Sequence, residues 1–109
     1  MHELAIGKSI LRLAVDRTRA AGRSRVVAID LVVGELRNIE DDQFARYFRQ
    51  VARGSIAEDA ALRITRARAT FRCRSCGEPS PAVACGPCGG AACEVTGGRE
   101  MLVQRLEVA

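Results

Sequence analysis

With 109 residues, 48% of them hydrophobic and 28% charged, the chain has the composition of a single folded unit, not of a disordered one. Its formal charge of +4 rests on arginine, Lys8 being the single lysine, and the arginines are spread along the chain, so nucleic acid is poorly supported as a partner. No stretch approaches the ~20 apolar residues that span a bilayer, and the opening "MHELAIGKSILRLAV" lacks the basic start and cleavage site of a secretion signal, which predicts a cytoplasmic chain with no membrane partner.

From Glu3 to about Ala21, the residues Leu4, Leu11, Ala14 and Val15 recur at helical spacing and Gly22 stops the pattern, predicting a first helix. "RVVAIDLVVG" (25–34) is rich in β-branched residues, and its near-continuous apolar run predicts a central strand covered on both faces and ended by Gly34. "EDDQFARYFRQVARGS" places Phe44, Tyr47, Phe48 and Val51 on one helical stripe, with acidic residues first and Gly54 just beyond the end. Asp41 or Asp42 is the expected cap of this second helix. The arginines Arg49 and Arg53 are expected to be solvated. Residues 61–72 alternate as a strand, with Leu62 and Ile64 on one face and Ala67, Ala69 and Phe71 on the other, a change of phase that suggests a bulge or twist near Thr65. After the cysteine-bearing segment 73–93, "EMLVQRLEVA" resumes as a strand with Leu102, Leu106 and Val108 on one face. The order is α-β-α-β-knuckles-β. The two strands that flank the cysteines can pair in one sheet and carry a small metal domain as an excursion from it.

All five cysteines lie between Cys73 and Cys93, and in a reducing compartment such clustering indicates metal ligation before disulfides. Cys73-x-x-Cys76 and Cys85-x-x-Cys88 form two knuckles separated by eight residues, each followed by a glycine, Gly77 or Gly89. Two residues between thiolates let both sulfurs converge on one ion at about 2.3 Å, and the glycine lets backbone amides turn toward them. Four such sulfurs make a tetrahedral zinc site. A closed thiolate shell has no open position for a substrate, which favours a structural role. Cys93 is left over as a free or partly buried thiol; the rival readings have it replace a knuckle cysteine or bind a second metal.

His2 is the only histidine in the chain. The amine of Met1, with a pKa of about 8, the amide nitrogen of His2 and its imidazole can close fused chelate rings around one ion, and such nitrogen-rich planar sets suit nickel(II) or copper(II). Glu3 can add oxygen donors. The plainer alternative is that His2 and Glu3 merely begin the first helix, with Glu3 favoured by the helix dipole.

"MHELAI", "VVGELRNIEDDQFARYFRQVARGSIAED", the two knuckles and the late "LEV" together resemble the HypA/HybF family of hydrogenase nickel-incorporation proteins, in order and over essentially the whole chain. The resemblance implies an α+β nickel metallochaperone: two helices packed on a three-stranded sheet (1–72 plus 99–109), with a four-cysteine zinc domain (73–98) inserted before the last strand. It implies a nickel site at Met1, His2 and Glu3, with Glu40 where the family tends to place an acidic residue, and structural zinc on Cys73, Cys76, Cys85 and Cys88. The implied partners are the GTPase HypB and the large subunit of [NiFe]-hydrogenase, and some members also serve urease maturation. The chain departs from the family in its short connection between knuckles and in Cys93.

Two other function classes are weaker. A zinc-ribbon nucleic-acid module lacks stacking aromatics, Phe71 being the only aromatic near the knuckles. An enzyme would need a histidine beyond His2 or a phosphate-cradling GxxxxGK loop, and neither is present in the sequence.

Overall fold

The computed structural model describes residues 2–80, 82–85, 88–90 and 93–109, with His2 and Glu3 described by their backbone alone. The elements run α1 (His2–Ala20), β1 (Val26–Gly34), α2 (Asp41–Ala52), β2 (Ala61–Ala67), β3 (Thr70–Cys73), β4 (Pro79–Ser80), β5 (Cys93–Gly97) and β6 (Met101–Val108). One three-stranded sheet has the order β2-β1-β6 and a second the order β4-β3-β5. The chain divides into two compact units. The first comprises Met1–Leu31, Ile39–Thr65 and Leu102–Ala109, the second Val32–Asn38 and Arg66–Met101.

In the first unit β1 is central, as its apolar run indicates. β6 runs antiparallel to it, since Arg25 and Ala109 exchange backbone hydrogen bonds at the start of β1 and the Gly34 amide donates to Glu100 at its end. β2 is reached through α2 and runs parallel: Arg63 lies beside Asp30, and farther along both strands the Glu35 amide donates to Ala67. The sheet is therefore mixed.

The two faces of β1 differ. Val26 and Ala28 are buried, then Ile29, Leu31 and Val33, whereas Val27, Asp30 and Val32 are only half-buried. Ala28 and Ile29, adjacent and therefore on opposite faces, are both buried. No residue of β1 is exposed, in keeping with the expected cover on both faces. On one face Asp30 joins all three strands, pairing with Arg63 of β2 and Arg105 of β6 (3.1 Å), while Arg63 also reaches Glu107 of β6 (2.8 Å).

The other face supports the helices. α1 buries Gly7, Ile10, Ala14 and Thr18; of the expected stripe Ala14 is fully buried, Leu11 and Val15 are half-buried and Leu4 is exposed. The Thr18 hydroxyl donates to the Ala14 carbonyl (2.7 Å), which satisfies its buried oxygen. A Cβ on Gly7 would stand 3.7 Å from Val51, so α1 and α2 approach closely there. α2 buries Phe44, Phe48 and Ala52, and each phenyl ring contributes about 1.5–3 kcal/mol by leaving water. Gly54, at φ 81°, ends the helix in the left-handed region.

The cap of α2 is Glu40 itself, in place of Asp41 or Asp42. Its carboxylate accepts from the amides of Asp42 (3.1 Å) and Gln43 (2.8 Å). Glutamate is not a usual cap, which is why the aspartates next to it read as better candidates.

The predicted strand 61–72 is two strands. β2 slips phase at Thr65 and Arg66, both exposed, and ends at Ala67; β3 belongs to the second sheet. The change of face read from Ala67 onward thus includes a change of sheet. β6 slips similarly at Gln104 and Arg105, which leaves Leu102 exposed while Leu106 and Val108 stay half-buried.

In the second unit β3 pairs antiparallel with β4 and β5. The segment after β1 lies against the start of this sheet: Leu36 donates its amide to Gly98 (2.8 Å), the Arg37 side chain donates to the Arg99 carbonyl (2.9 Å), and the Glu35 carboxylate accepts from the Ala69 amide (2.6 Å). Gly34 and Gly98 cross with no room for a Cβ on either. No described helix is long and apolar enough to cross a membrane.

Candidate metal centre

Two short backbone motifs bring the four knuckle cysteines together. In the first, the Cys73 amide donates to the Glu78 carbonyl (3.0 Å) and the Gly77 amide donates back to the Cys73 carbonyl (2.9 Å). The second repeats this residue for residue: the Cys85 amide donates to Gly90 (2.7 Å) and the Gly89 amide to Cys85 (2.8 Å). Both turns need a left-handed residue, supplied by Gly77 (φ 77°) and Gly89 (φ 71°).

The Sγ atoms of Cys73, Cys76, Cys85 and Cys88 all lie within 4.8 Å of one another. Cys73 and Cys88 approach to 3.5 Å, and Cys76 and Cys85 to 3.6 Å. Four sulfurs held tetrahedrally at the zinc–thiolate bond length stand about 3.8 Å apart, so the arrangement matches one ion at the centre. Among the described residues this is the one group of three or more histidine, cysteine or acidic side chains with that geometry. Cys73 and Cys85 are buried and Cys76 and Cys88 exposed.

The electrostatics of the four thiols favour a cation among them. The Cys73 thiol is held down to about 6, first by the backbone amide of Cys76, then by that of Ser75 and by neighbouring sulfurs, against its own burial. Cys85 receives a hydrogen bond from the Cys88 amide, yet burial and the crowding of other sulfurs push it up to about 12. Cys76 is raised despite the Glu78 amide, by burial and by its sulfur neighbours. One thiolate forms readily and makes the next unfavourable. A divalent ion removes that conflict by neutralising the set.

Ser80 supports the cluster and was not singled out from sequence. It is buried in β4 opposite Phe71, its hydroxyl is within hydrogen-bond reach of the Ala82 carbonyl (3.0 Å), and it accepts from the Ala82 amide (3.3 Å). It thereby shapes the short connection into the second knuckle. A serine among prolines gives no pattern by which this role could be found. The nearby arginines are engaged, Arg72 donating to the Gly77 carbonyl and Arg74 facing Glu94.

The fifth cysteine, Cys93, is half-buried on β5, directly across from Cys73 on β3. Of the candidate nickel residues, Met1 lies outside the described residues. His2 and Glu3 form the first turn of α1, and Glu40 is the exposed cap of α2.

The sequence matches the profile of a family described as hydrogenase/urease nickel incorporation metallochaperones, HypA, over residues 1–108. It is 34% identical over 112 residues to the hydrogenase maturation factor HypA of Chlorobaculum tepidum and 35% identical to that of Dechloromonas aromatica, with 99% of both chains covered in each case. Its fold is similar to that of the nickel metallochaperone HypA from Helicobacter pylori, with TM-score 0.74 and 20% identity over 97% of this chain and 96% of that one. A second HypA solution structure gives TM-score 0.82 and 22% identity over 100% and 97%. With the profile matched almost end to end, and with two helices, three-stranded sheets and a four-cysteine cluster before the last strand, the chain belongs to the HypA family of hydrogenase maturation metallochaperones, a family of metal carriers and not of enzymes.

Proposed function

We propose that the chain binds nickel(II) at its amino terminus and delivers it during maturation of [NiFe]-hydrogenase, while a zinc ion on Cys73, Cys76, Cys85 and Cys88 holds the second unit in shape. The observation that carries this reading is the family match over residues 1–108 together with the placement of the sole histidine at position 2.

The first turn of a helix leaves its amides without intrahelical acceptors. His2 opens α1, so its amide nitrogen is available to a metal, beside the Met1 amine and the His2 imidazole. Glu3 and Glu40 supply carboxylates to the same function. Such a set is open and proton-sensitive, which suits an ion that must be passed on. The four-thiolate set is closed, and zinc there supplies cross-linking and charge neutralisation, not exchange. In this reading the nickel residues belong to a nickel-binding domain of residues 1–72 plus 99–109 and the zinc residues to an inserted zinc domain of residues 73–98.

The partners that follow are a GTPase of the HypB type, which supplies nucleotide hydrolysis, and the hydrogenase large subunit; urease maturation proteins are a second destination. The setting is the cytoplasm. Nickel titration by calorimetry on untagged, zinc-loaded protein tests the reading. His2→Ala, and separately one extra residue before Met1, should each abolish a one-to-one nickel site. Unchanged affinity in both would sink the amino-terminal mechanism.

A further inference from the structure

Cys93 is not needed to complete a tetrahedral thiolate set, yet it faces one member of that set across a strand pair. The register aligns Cys73 with Cys93 in the antiparallel β3–β5 ladder. Their backbone amides do not bond to each other: the Cys73 amide donates to Glu78 and the Cys93 amide to Val83. The Cys73 carbonyl is likewise occupied, accepting from Gly77. This is the non-hydrogen-bonded type of cross-strand pair, in which the Cα atoms stand about 4.5 Å apart and the side chains come closest. Disulfides span Cα separations of roughly 4.4–6.8 Å.

From this geometry we infer that Cys73 and Cys93 form a cross-strand disulfide under hydroperoxide stress, and that its formation opens the metal site. The inference rests on the zinc-site reading above. The chemistry balances in two steps. The Cys93 thiol attacks hydrogen peroxide, giving a Cys93 sulfenic acid and one water. The Cys73 thiolate then attacks the Cys93 sulfur and expels hydroxide, forming the S–S bond. Each sulfur has lost one electron and the peroxide has gained two. The site is left with Cys76, Cys85 and Cys88, and a three-sulfur set on an opened knuckle no longer closes around an ion. A thiol reductant reverses the change by exchange at the disulfide.

The pair is specific because of position. Cys76 and Cys88 are each held to a sulfur of the other knuckle, and Cys93 alone among the five thiols lies outside the four-sulfur set while standing opposite one of its members across a strand pair. Exposure sets the order within the pair: Cys93 is half-buried and Cys73 buried, so of these two peroxide meets Cys93 first, while the more exposed Cys76 and Cys88 are engaged as ligands in the zinc-loaded chain.

The test uses the full zinc-loaded chain, with zinc content measured before any oxidant is added. Hydrogen peroxide is then added with a chromogenic zinc chelator present, and the oxidised chain is digested without reduction and mapped by mass spectrometry. The expected result is a Cys73–Cys93 linked peptide, two hydrogens lighter than the separate thiols, forming in step with zinc release. Cys93→Ser, and Cys93→Ala as a second variant, should bind zinc at the wild-type stoichiometry and release it about tenfold more slowly in peroxide. Equal release from wild type and both variants, or a linkage that joins two knuckle cysteines, overturns the proposal. A chain that binds no zinc before oxidation overturns the zinc reading and the release step with it; a zinc-loaded chain without the Cys73–Cys93 link overturns the switch alone.

Discussion

Gly34 and Gly98 cross so closely that a methyl group on Gly34 would occupy the space of the Gly98 carbonyl, and one on Gly98 would stand 2.7 Å from the Cα of Ala69. Both contacts are with backbone, which cannot rotate aside as a side chain would. Gly34→Ala should therefore destabilise the fold by at least about 3 kcal/mol, the upper range of overpacking costs. The midpoint of urea denaturation reads this directly, and a shift within the scatter of exposed-surface substitutions would refute the close crossing.

The glycines of the two knuckles carry a different cost. Nothing lies within 4 Å of a Cβ built on Gly77 or Gly89, so alanine meets no clash there, only the left-handed backbone. That conformation costs an L-residue roughly 1–2 kcal/mol. Gly77→Ala and Gly89→Ala should each lower zinc affinity by about tenfold, the equivalent of 1.4 kcal/mol, and by similar factors, because the two turns are the same. Competition with a calibrated chelator measures it. A loss confined to one glycine would show that the repeat is not equivalent in energy.

Glu40 can be separated into a helix cap and a metal ligand by experiment. Glu40→Ala removes acceptors for the Asp42 and Gln43 amides and should cost about 1 kcal/mol of stability in metal-free buffer. Glu40→Asp keeps a good capping side chain and should restore that stability. Thermal melts without nickel report the cap, and nickel titration of the same two variants reports the ligand. If Glu40→Ala melts like wild type, the capping bonds contribute nothing.

Asp30 makes stability depend on acid. The hydrogen bond from Arg63, then the charges of Arg63 and Arg105, hold its carboxyl below the ordinary value of 3.8 against partial burial. A carboxyl depressed by folding stabilises the folded state at pH above its unfolded value, and that contribution fades as pH falls through the folded one. Asp30→Asn should therefore be less stable than wild type at neutral pH, and the gap should begin to close near pH 3.8 and vanish only once the pH lies below the lowered folded-state value. Parallel denaturation series across pH 2–7 would show the convergence. A gap that stays constant to the lowest pH would mean that the charge of Asp30 contributes nothing.

Much of this fold is legible in local pattern, and the misreadings have local causes. α2 could be placed from Phe44 and Phe48 because a one-sided helix writes its burial at 3.6-residue spacing. Gly22 and Gly54 mark helix ends because only glycine adopts the required backbone freely. The four cysteines were legible as one set because metal spacing is itself local. What pairing does over long range was not: nothing near Cys73 points to Cys93, and the crossing of Gly34 with Gly98 joins segments far apart in sequence. The junction at Arg68 and Ala69, where the chain passes from one sheet to the other, has neither glycine nor proline to announce it. β4, two residues long, is below the length at which alternation can be recognised.

Because each knuckle closes its own ring of backbone hydrogen bonds, each half of the cluster holds its two sulfurs in position independently of the other. Metal uptake is then an assembly of two preformed claws, not the folding of a loop around an ion. A first claw captures the ion through two thiolates, and the second completes the cage by closing over it. Capture should thus keep pace with diffusion of the ion, and closure of the second claw should set how long the ion stays.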